Sequence, residues 1–233
     1  MEVILRRLGF ALLVFQMACS GAHDDAEMEV ADEYRMPYAI RQVKLKMYYA
    51  VEPVKDTLVV EVERFSDDSA HYERQVSLVK STGVVITRST MLLTEHGTRL
   101  LEAESFREGK LIHDKIVLQR ALPRGPRKYS GVEVRRERDV SAFDKVITTA
   151  VETFDRDTVF EWQGQSVPSL KFKTSEEEVT VNRFFPWLKS TRHSQRFGLF
   201  SKGIGYTYTR MNVGDAEMTF KLARIEVIEP ARE

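Results

Sequence analysis

Cys19 carries the most reactive side chain of this 233-residue chain, and it is the only cysteine in it. A thiol can act as a nucleophile, ligate a metal, form a disulfide or carry an acyl group. Because the chain has one cysteine, an intramolecular disulfide and a zinc site built on several thiolates are both excluded. Three roles remain open for Cys19: a buried side chain, a reactive thiol or a lipid attachment point.

The residues before Cys19 favour lipid attachment. A largely apolar run, Leu8 to Met17, follows Arg6 and Arg7 and leads into small residues at positions 18–22. A positively charged start, a short apolar stretch and a small-residue exit are typical of a secretory signal peptide. The run is too short to cross a bilayer, which takes about 20 apolar residues. The sequence therefore predicts a signal peptide over residues 1–18.

The stretch Phe15-Gln16-Met17-Ala18-Cys19-Ser20 resembles a bacterial lipobox. Ala18 and Cys19 match that pattern, whereas Gln16 stands where leucine is usual. The resemblance implies that the Cys19 thiol is acylated and becomes the first residue of the mature chain. It also implies a lipid anchor in the bacterial cell envelope, and Ser20 after the cysteine favours the outer membrane, facing the periplasm.

Cleavage after Ala22 is the alternative, and it would release a secreted or periplasmic soluble protein without a cysteine. The next residues, 23–33, include six acidic residues and no Lys or Arg. Such a segment repels itself and stays extended. We therefore expect residues 19–33 to form an acidic tether, and residues 34–233 to form a single globular domain.

The composition argues against several functions. The chain has 35 basic and 35 acidic residues, so no strong net charge favours nucleic acid. We find no nucleophile elbow, metalloprotease helix or phosphate-binding loop, and the five histidines are scattered. The sequence therefore predicts a protein that is not an enzyme and has no catalytic residues, no metal site and no cofactor.

Alternation of apolar and polar residues predicts a mainly β fold. Val43, Leu45, Met47 and Tyr49 alternate with polar residues, as in a strand with one solvated face. Similar runs recur every 8–12 residues or so with turn residues between them, which is typical of antiparallel sheets. We expect a strongly curved antiparallel sheet, a half-barrel or a sandwich, with little helix apart from the signal segment.

Three segments depart from this pattern. Residues 120–130 contain two prolines, a glycine and several basic residues, which predicts a long loop. The neighbouring Arg135, Arg136 and Arg138 are interpreted as charges that guard an edge strand, although contact with lipid head groups, a glycan or an acidic partner is an alternative.

Residues 141–154 favour a strand over a helix, and residues 183–193 favour a short helix or a loop around Pro186. A shift in alternation near Ala223 and Arg224 predicts a β-bulge.

Aromatic residues are concentrated between positions 184 and 208. Core packing is the default for such side chains, but a half-open sheet could use some of them to line an apolar pocket or a partner surface. The candidates for lining a ligand site are Phe184, Phe185, Trp187, Phe197, Phe200, Tyr206 and Tyr208.

The final third of the chain resembles uncharacterised envelope lipoproteins of the LolA/LolB-like half-barrel type. The resemblance depends on Lys202-Gly203-Ile204-Gly205 before a terminal pair of strands. It implies a curved sheet around a lipophilic cavity. We therefore expect a non-catalytic, membrane-anchored envelope lipoprotein that binds a lipophilic molecule or a partner protein on its sheet. The alternatives are a structural or assembly subunit of an envelope complex, or a soluble secreted protein if Cys19 is not acylated.

Overall fold

The computed structural model describes residues 44–67, 70–94, 97–107, 110–121, 131–213 and 216–228. All regular secondary structure in these ranges is β-strand. The strands are β1 (Lys44–Glu52), β2 (Asp56–Ser66), β3 (His71–Val79), β4 (Val85–Thr94), β5 (Gly97–Arg107), β6 (Lys110–Ala121), β7 (Val132–Asp139), β8 (Asp144–Trp162), β9 (Gln165–Asn182), β10 (Lys189–Ser201), β11 (Gly205–Val213) and β12 (Ala216–Ile228).

The strands form a closed barrel in which each strand pairs antiparallel with its neighbours in sequence. The first and last strands, β1 and β12, pair with each other and complete the ring. The predicted mainly β, strongly curved antiparallel sheet is confirmed. Its curvature goes further than a half-barrel, because the pairing of β1 with β12 leaves the ring without a free first or last strand.

The predicted alternation fixes which side chains point into the barrel. In β1, Leu45, Met47, Tyr49 and Val51 are buried, and the residues between them are more exposed. The predicted bulge is also confirmed: Tyr48 pairs with Arg224 and Tyr49 with Leu222, so Ala223 is the extra residue. The bulge lets β12 direct Met218, Phe220 and Leu222 inward before the shift and pack Ile225, partly buried, against the core after it, whereas Val227 is exposed.

Alternate turns of an antiparallel barrel lie at opposite ends. The start of β1, the end of β12 and the β8–β9 and β10–β11 turns share one end, called here the proximal rim. The β1–β2, β3–β4, β7–β8 and β9–β10 turns share the other end, the distal rim. The chain therefore enters and leaves the barrel at the rim opposite the β9–β10 turn.

An apolar core fills the part of the interior lined by β1, β2 and β9–β12. Its buried members include Leu45, Met47, Tyr49, Val51, Leu58, Val60, Val62, Leu170, Phe172, Phe200, Tyr206, Met211, Met218, Phe220 and Leu222. Burying one large side chain of this kind contributes about 1.5–3 kcal/mol. This cluster is therefore the main source of the barrel's stability.

The second half of the chain differs in detail from the sequence-based expectation. β8 and β9 form one long hairpin of 19 and 18 residues, and the segment favoured as a strand at 141–154 is strand from Asp144. Of the two alternatives predicted for residues 183–193, residues 183–188 form the loop and not the helix, and residues from Lys189 onward are strand. Cys19, the predicted signal peptide and tether, and most of the predicted loop at 120–130 lie outside the described residues. Within the described residues, no helix has the length and apolar character needed to cross a membrane.

Candidate binding surface at the distal rim

Five large apolar side chains are exposed together at the distal rim, where the β7–β8 and β9–β10 turns meet. We call this set the aromatic tip. Its members and their exposed fractions are Phe143 (59%), Phe184 (64%), Phe185 (50%), Trp187 (73%) and Leu188 (58%). Single exposed apolar residues are common on protein surfaces, whereas a contiguous group is typical of an interaction site.

Asn182 shapes the β9–β10 turn. Its side-chain Oδ1 accepts hydrogen bonds from the backbone N–H groups of Phe184 and Phe185, at 3.1 and 3.0 Å. Its own N–H donates to the Leu188 carbonyl oxygen at 3.1 Å, and the Leu188 N–H donates to the Phe185 carbonyl at 2.8 Å. These bonds satisfy the turn backbone, as an Asx-turn does. The aromatic side chains are therefore not needed to hold the turn.

The turn is also tied to its neighbour. The Arg183 N–H donates to the Phe143 carbonyl oxygen at 2.7 Å, and Asn182 Nδ2 donates to Asp144 Oδ1 at 3.2 Å. Arg183 forms an ion pair with Asp139, and this hydrogen-bonded guanidinium lowers the pKa of the Asp139 carboxyl. The aromatic tip is thus assembled from two turns held in one arrangement.

The rings of the tip contact one another in pairs. The Phe143 and Phe184 ring centroids are 5.8 Å apart, and those of Phe185 and Trp187 are 5.4 Å apart in an edge-to-face arrangement. Such pairs stabilise ring orientation by about 0.5–1.5 kcal/mol. The tip presents ordered ring faces to its surroundings.

The structure separates the seven aromatic residues that were candidates for lining a ligand site. Three of them, Phe184, Phe185 and Trp187, are on the tip. Phe200 and Tyr206 are buried in the apolar core, and Tyr208 packs against that core while partly exposed. Phe197 is also partly exposed, with the Lys171 ammonium 4.4 Å from its ring centroid. The seven therefore do not form one surface, and their role in ligand binding stays a prediction.

Phe143 and Leu188 were not among the candidates. Phe143 lies among turn residues, and Ser141 Oγ accepts hydrogen bonds from the backbone N–H groups of Phe143 and Asp144, at 3.1 and 2.9 Å. In the sequence, the feature that could have identified Phe143 as a surface candidate is a large aromatic side chain among turn residues. Only the pairing of the two turns places it beside Phe184.

The core aromatics are fixed by packing instead. Phe200 and Tyr206 pack edge to face with centroids 4.9 Å apart, and Phe172 packs on Phe200 at 5.6 Å. Tyr49 Oη donates to the Tyr206 carbonyl oxygen at 2.9 Å. Gly198 leaves the space that the Tyr206 phenol occupies, since a Cβ there would overlap that ring.

A second candidate region is a group of buried charged residues inside the barrel, on β6–β10. Asp114 accepts a hydrogen bond from Arg136 Nη1 at 3.0 Å, and its other oxygen is 3.5 Å from Arg138 Nη1. Arg138 Nη2 donates to Glu178 Oε2 at 3.0 Å. The interpretation of Arg136 and Arg138 as charges guarding an edge strand is wrong, because both are buried opposite carboxylates.

Glu152, Glu176 and Arg196 extend this buried group. Burial raises the pKa of Glu152 and of Glu176, although the Arg196 charge opposes both shifts. Burial also lowers the pKa of Arg196. Thr174 Oγ1 donates to Glu152 Oε2 at 3.0 Å.

The buried group resembles structural ion pairing more than a reaction centre. Its four carboxylates, on Asp114, Glu152, Glu176 and Glu178, share three guanidinium groups, on Arg136, Arg138 and Arg196, and such charge compensation is how proteins accommodate buried charge. Among the described residues, no three His, Cys, Asp or Glu side chains are grouped as metal ligands. The aromatic tip, which is exposed and ordered, is therefore the stronger candidate for contact with another molecule.

No protein-family model matches the chain, and no curated protein matches it either. Two solved structures have a similar course of the backbone. One is a Bacteroides fragilis protein named as an exported protein with a YmcC-like fold, with TM-score 0.46 and 10% identity over 89% of this chain and 99% of that chain. The other is a Parabacteroides distasonis protein named as a lipoprotein, with TM-score 0.47 and 11% identity over 87% of this chain and 100% of that chain.

Proposed function

We propose that this chain is a non-catalytic lipoprotein of the bacterial envelope, anchored through Cys19, that binds a partner protein with its aromatic tip. The observation that carries the proposal is the tip itself: five exposed apolar side chains on two turns whose backbones are hydrogen-bonded independently of them. Trp and other aromatic side chains at the centre of an interface commonly supply most of its binding energy.

The position of the tip supports a partner protein over the anchoring membrane. The segment that joins Cys19 to the barrel enters at the proximal rim, where β1 begins, and the tip is at the distal rim. Because residues 20–43 separate the anchor from β1, this attachment favours orientations with the distal rim away from the membrane but does not fix them. The tip would then reach a second protein more readily than the lipids around its own anchor.

The order of the tip supports the same proposal. Binding costs less when the contact residues already hold their bound arrangement. The hydrogen bonds of Asn182 and the contact of Arg183 with the β7–β8 turn restrict the tip before any partner arrives. A lipophilic small molecule inside the barrel has less support, because Phe200 and Tyr206 are packed against neighbouring core side chains.

The anchor is tested by growing cells with labelled fatty acid and comparing the wild type with Cys19→Ala. We expect label on the wild type alone. Detergent-free fractionation of the same cells should leave the wild type with membranes and release the variant. Absence of label from both proteins would contradict the anchor.

The contact surface is tested by placing a photo-crosslinking amino acid at Trp187 in the full chain and irradiating intact cells. Val159 is a matched control, because it is equally apolar and 59% exposed but lies near the proximal rim. We expect a discrete protein adduct from position 187, lost when Phe184 and Phe185 are both changed to Ser, and no such adduct from position 159. Lipid adducts alone at position 187 would contradict a partner protein and favour a lipophilic ligand.

A further inference from the structure

The first part of β10, residues 189–195, pairs with a strand on one side only. Its register with β9 runs without a shift from Lys189 opposite Val181 to Ser201 opposite Ser169. Its pairing with β11 begins only at Arg196, opposite Met211. Among the strands that the structure describes, none pairs with residues 189–195 on that side, and all seven residues are exposed.

The backbone groups on the open side follow from the register. The Asn182 N–H donates to the Leu188 carbonyl, which makes these two a hydrogen-bonded pair. Hydrogen-bonded and non-hydrogen-bonded pairs alternate in an antiparallel ladder. Residues 190, 192 and 194 therefore bond to β9, whereas Lys189, Thr191 and His193 direct their N–H and C=O groups towards the open side.

This open edge is suited to accept another strand. Sheets usually protect exposed edges with bulges, prolines or very short strands. Residues 189–195 contain no proline, and their pairing with β9 contains no bulge. The remaining protection is charge, which selects between partners rather than excluding all of them.

The charge of the edge is positive. Lys189 and Arg192 are cationic, His193 adds a third basic group, and residues 189–195 contain no Asp or Glu. On the β9 side the register places three acidic residues opposite this edge: Glu176 opposite Ser194, Glu177 opposite His193, and Glu178, which binds Arg138, opposite Arg192. An acidic segment would complement this edge, and a basic one would be repelled.

The edge also continues directly from the aromatic tip. Leu188, the last tip residue, precedes Lys189, the first edge residue. Recognition by strand addition uses main-chain hydrogen bonds for affinity and adjacent side-chain contacts for specificity. Edge and tip together provide both.

We propose that the open edge of β10 binds an extended, acidic segment of the partner protein as an added strand, while the aromatic tip contacts apolar groups next to that segment. This inference rests on the proposed function in one respect, since the partner is the one that the tip binds. It adds the chemistry of that partner: an extended strand with acidic side chains.

The test measures binding of labelled peptides by fluorescence anisotropy to the full chain carrying Cys19→Ala. The probe is a synthetic seven-residue peptide of alternating Val and Glu. The first control has Lys in place of every Glu. The second control keeps Glu but carries a methyl group on every backbone nitrogen, because an extended peptide has two hydrogen-bonding edges and both must be blocked while the charge is preserved. We expect the probe to bind and each control to bind about tenfold more weakly or not at all.

Matched variants localise the binding. Thr191→Pro removes an N–H that faces the open edge, a position where strands tolerate proline. Thr191→Val keeps that N–H and serves as the control. We expect Thr191→Pro to weaken probe binding about tenfold and Thr191→Val to leave it nearly unchanged, with thermal unfolding confirming that both variants fold.

Equal binding of the N-methylated peptide, or unchanged binding to Thr191→Pro, would overturn strand addition. Binding that appears only after residues 23–33 are deleted would overturn the partner assignment, because the chain's own acidic stretch would then be the occupant. If strand addition fails but the Trp187 adduct persists, the proposed function stands without this inference. If the adduct fails and the probe binds, the tip assignment is the one that fails.

Discussion

The aromatic side chains inside the barrel and those of the aromatic tip are of similar kinds but differ in what holds them. Phe200 and Tyr206 are positioned by contact with other side chains, and the barrel needs them to fill its interior. Phe184 and Trp187 are positioned by a backbone that Asn182 hydrogen-bonds, and their rings are exposed. The difference separates stability from recognition: removing an interior ring should destabilise the protein, and removing a tip ring should not.

The largest expected effect is on the interior side of this comparison. Phe200→Ala removes a ring that contacts both Phe172 and Tyr206, so we expect the free energy of unfolding to fall by about 3–5 kcal/mol. Urea denaturation followed by circular dichroism measures this. A loss no larger than that of a tip variant would show that the interior is not closely packed.

Gly198→Ala should be destabilising by about 1–3 kcal/mol, because the added Cβ overlaps the Tyr206 phenol. In a Tyr206→Ala background, Gly198→Ala should lower the free energy of unfolding much less, since the overlapping ring is gone. Denaturation of the four proteins of this double-mutant cycle measures the difference. An equal loss of unfolding free energy in both backgrounds would mean that Gly198 is required for a reason other than the space for Tyr206.

At the tip, the backbone cap should matter more than the rings. Asn182→Ala removes the Oδ1 that accepts two backbone hydrogen bonds, so we expect a loss of about 1 kcal/mol in unfolding free energy. Asn182→Ser keeps a side-chain oxygen that can accept from the turn N–H groups without placing a carboxylate beside Asp144, and it is the control, expected to retain more of the stability. If Asn182→Ala had no effect on thermal unfolding, the hydrogen bonds of Asn182 would not be what stabilises the β9–β10 turn.

The buried carboxylates in the barrel interior should make the stability of the protein depend on pH, whereas the apolar side chains of the tip should not. Burial raises the folded-state pKa of Glu152 above its ordinary value, so folding is favoured while Glu152 is protonated. This contribution is fully present below the ordinary Glu pKa and is lost as pH rises through the folded-state value. Glu152→Gln should therefore reduce the loss of stability with rising pH. The reduction should be partial, because the pKa of Glu176 is raised by burial as well and Glu176 remains in the variant.

Urea denaturation from pH 4.5 upward, on wild type and Glu152→Gln, measures this difference. Groups common to both proteins cancel in the comparison, which leaves the contribution of Glu152. Parallel pH profiles would show that burial does not perturb this carboxyl.

The smallest expected effect on stability is at the tip rings themselves. Trp187→Ala should change the unfolding free energy by less than about 0.5 kcal/mol, because the side chain is 73% exposed. The same variant should lose most of the binding to the crosslinked partner, once that partner is purified, as removal of a central interface Trp commonly does. Differential scanning calorimetry measures the stability of the variant, and isothermal titration calorimetry measures its binding to the partner. A marked loss of stability would show that Trp187 contributes to the packing of the fold, as the interior aromatic residues do.

Alternation in the sequence predicted much of the fold but not the contents of the interior. The buried face of β1 and the bulge at Ala223 follow from period-two patterning and are confirmed. In β7, Arg136 and Arg138 share a face with Val132 and Val134, so the pattern alone would have placed them inside. We interpreted their charge as exposure, since a lone buried guanidinium is costly; the carboxylates that compensate it come from β6 and β9, distant in sequence.

The sequence by itself determined the strand character, the inward faces of the apolar strands and the prediction of an anchor at Cys19. Those properties depend on neighbours along the chain, which local alternation and composition record. The tertiary structure alone decided that the sheet closes, which of the seven aromatic residues are buried and where the tip and open edge lie. Those depend on residues far apart in sequence meeting in space: the β7–β8 and β9–β10 turns share a rim, and β11 begins to pair with β10 only at Arg196.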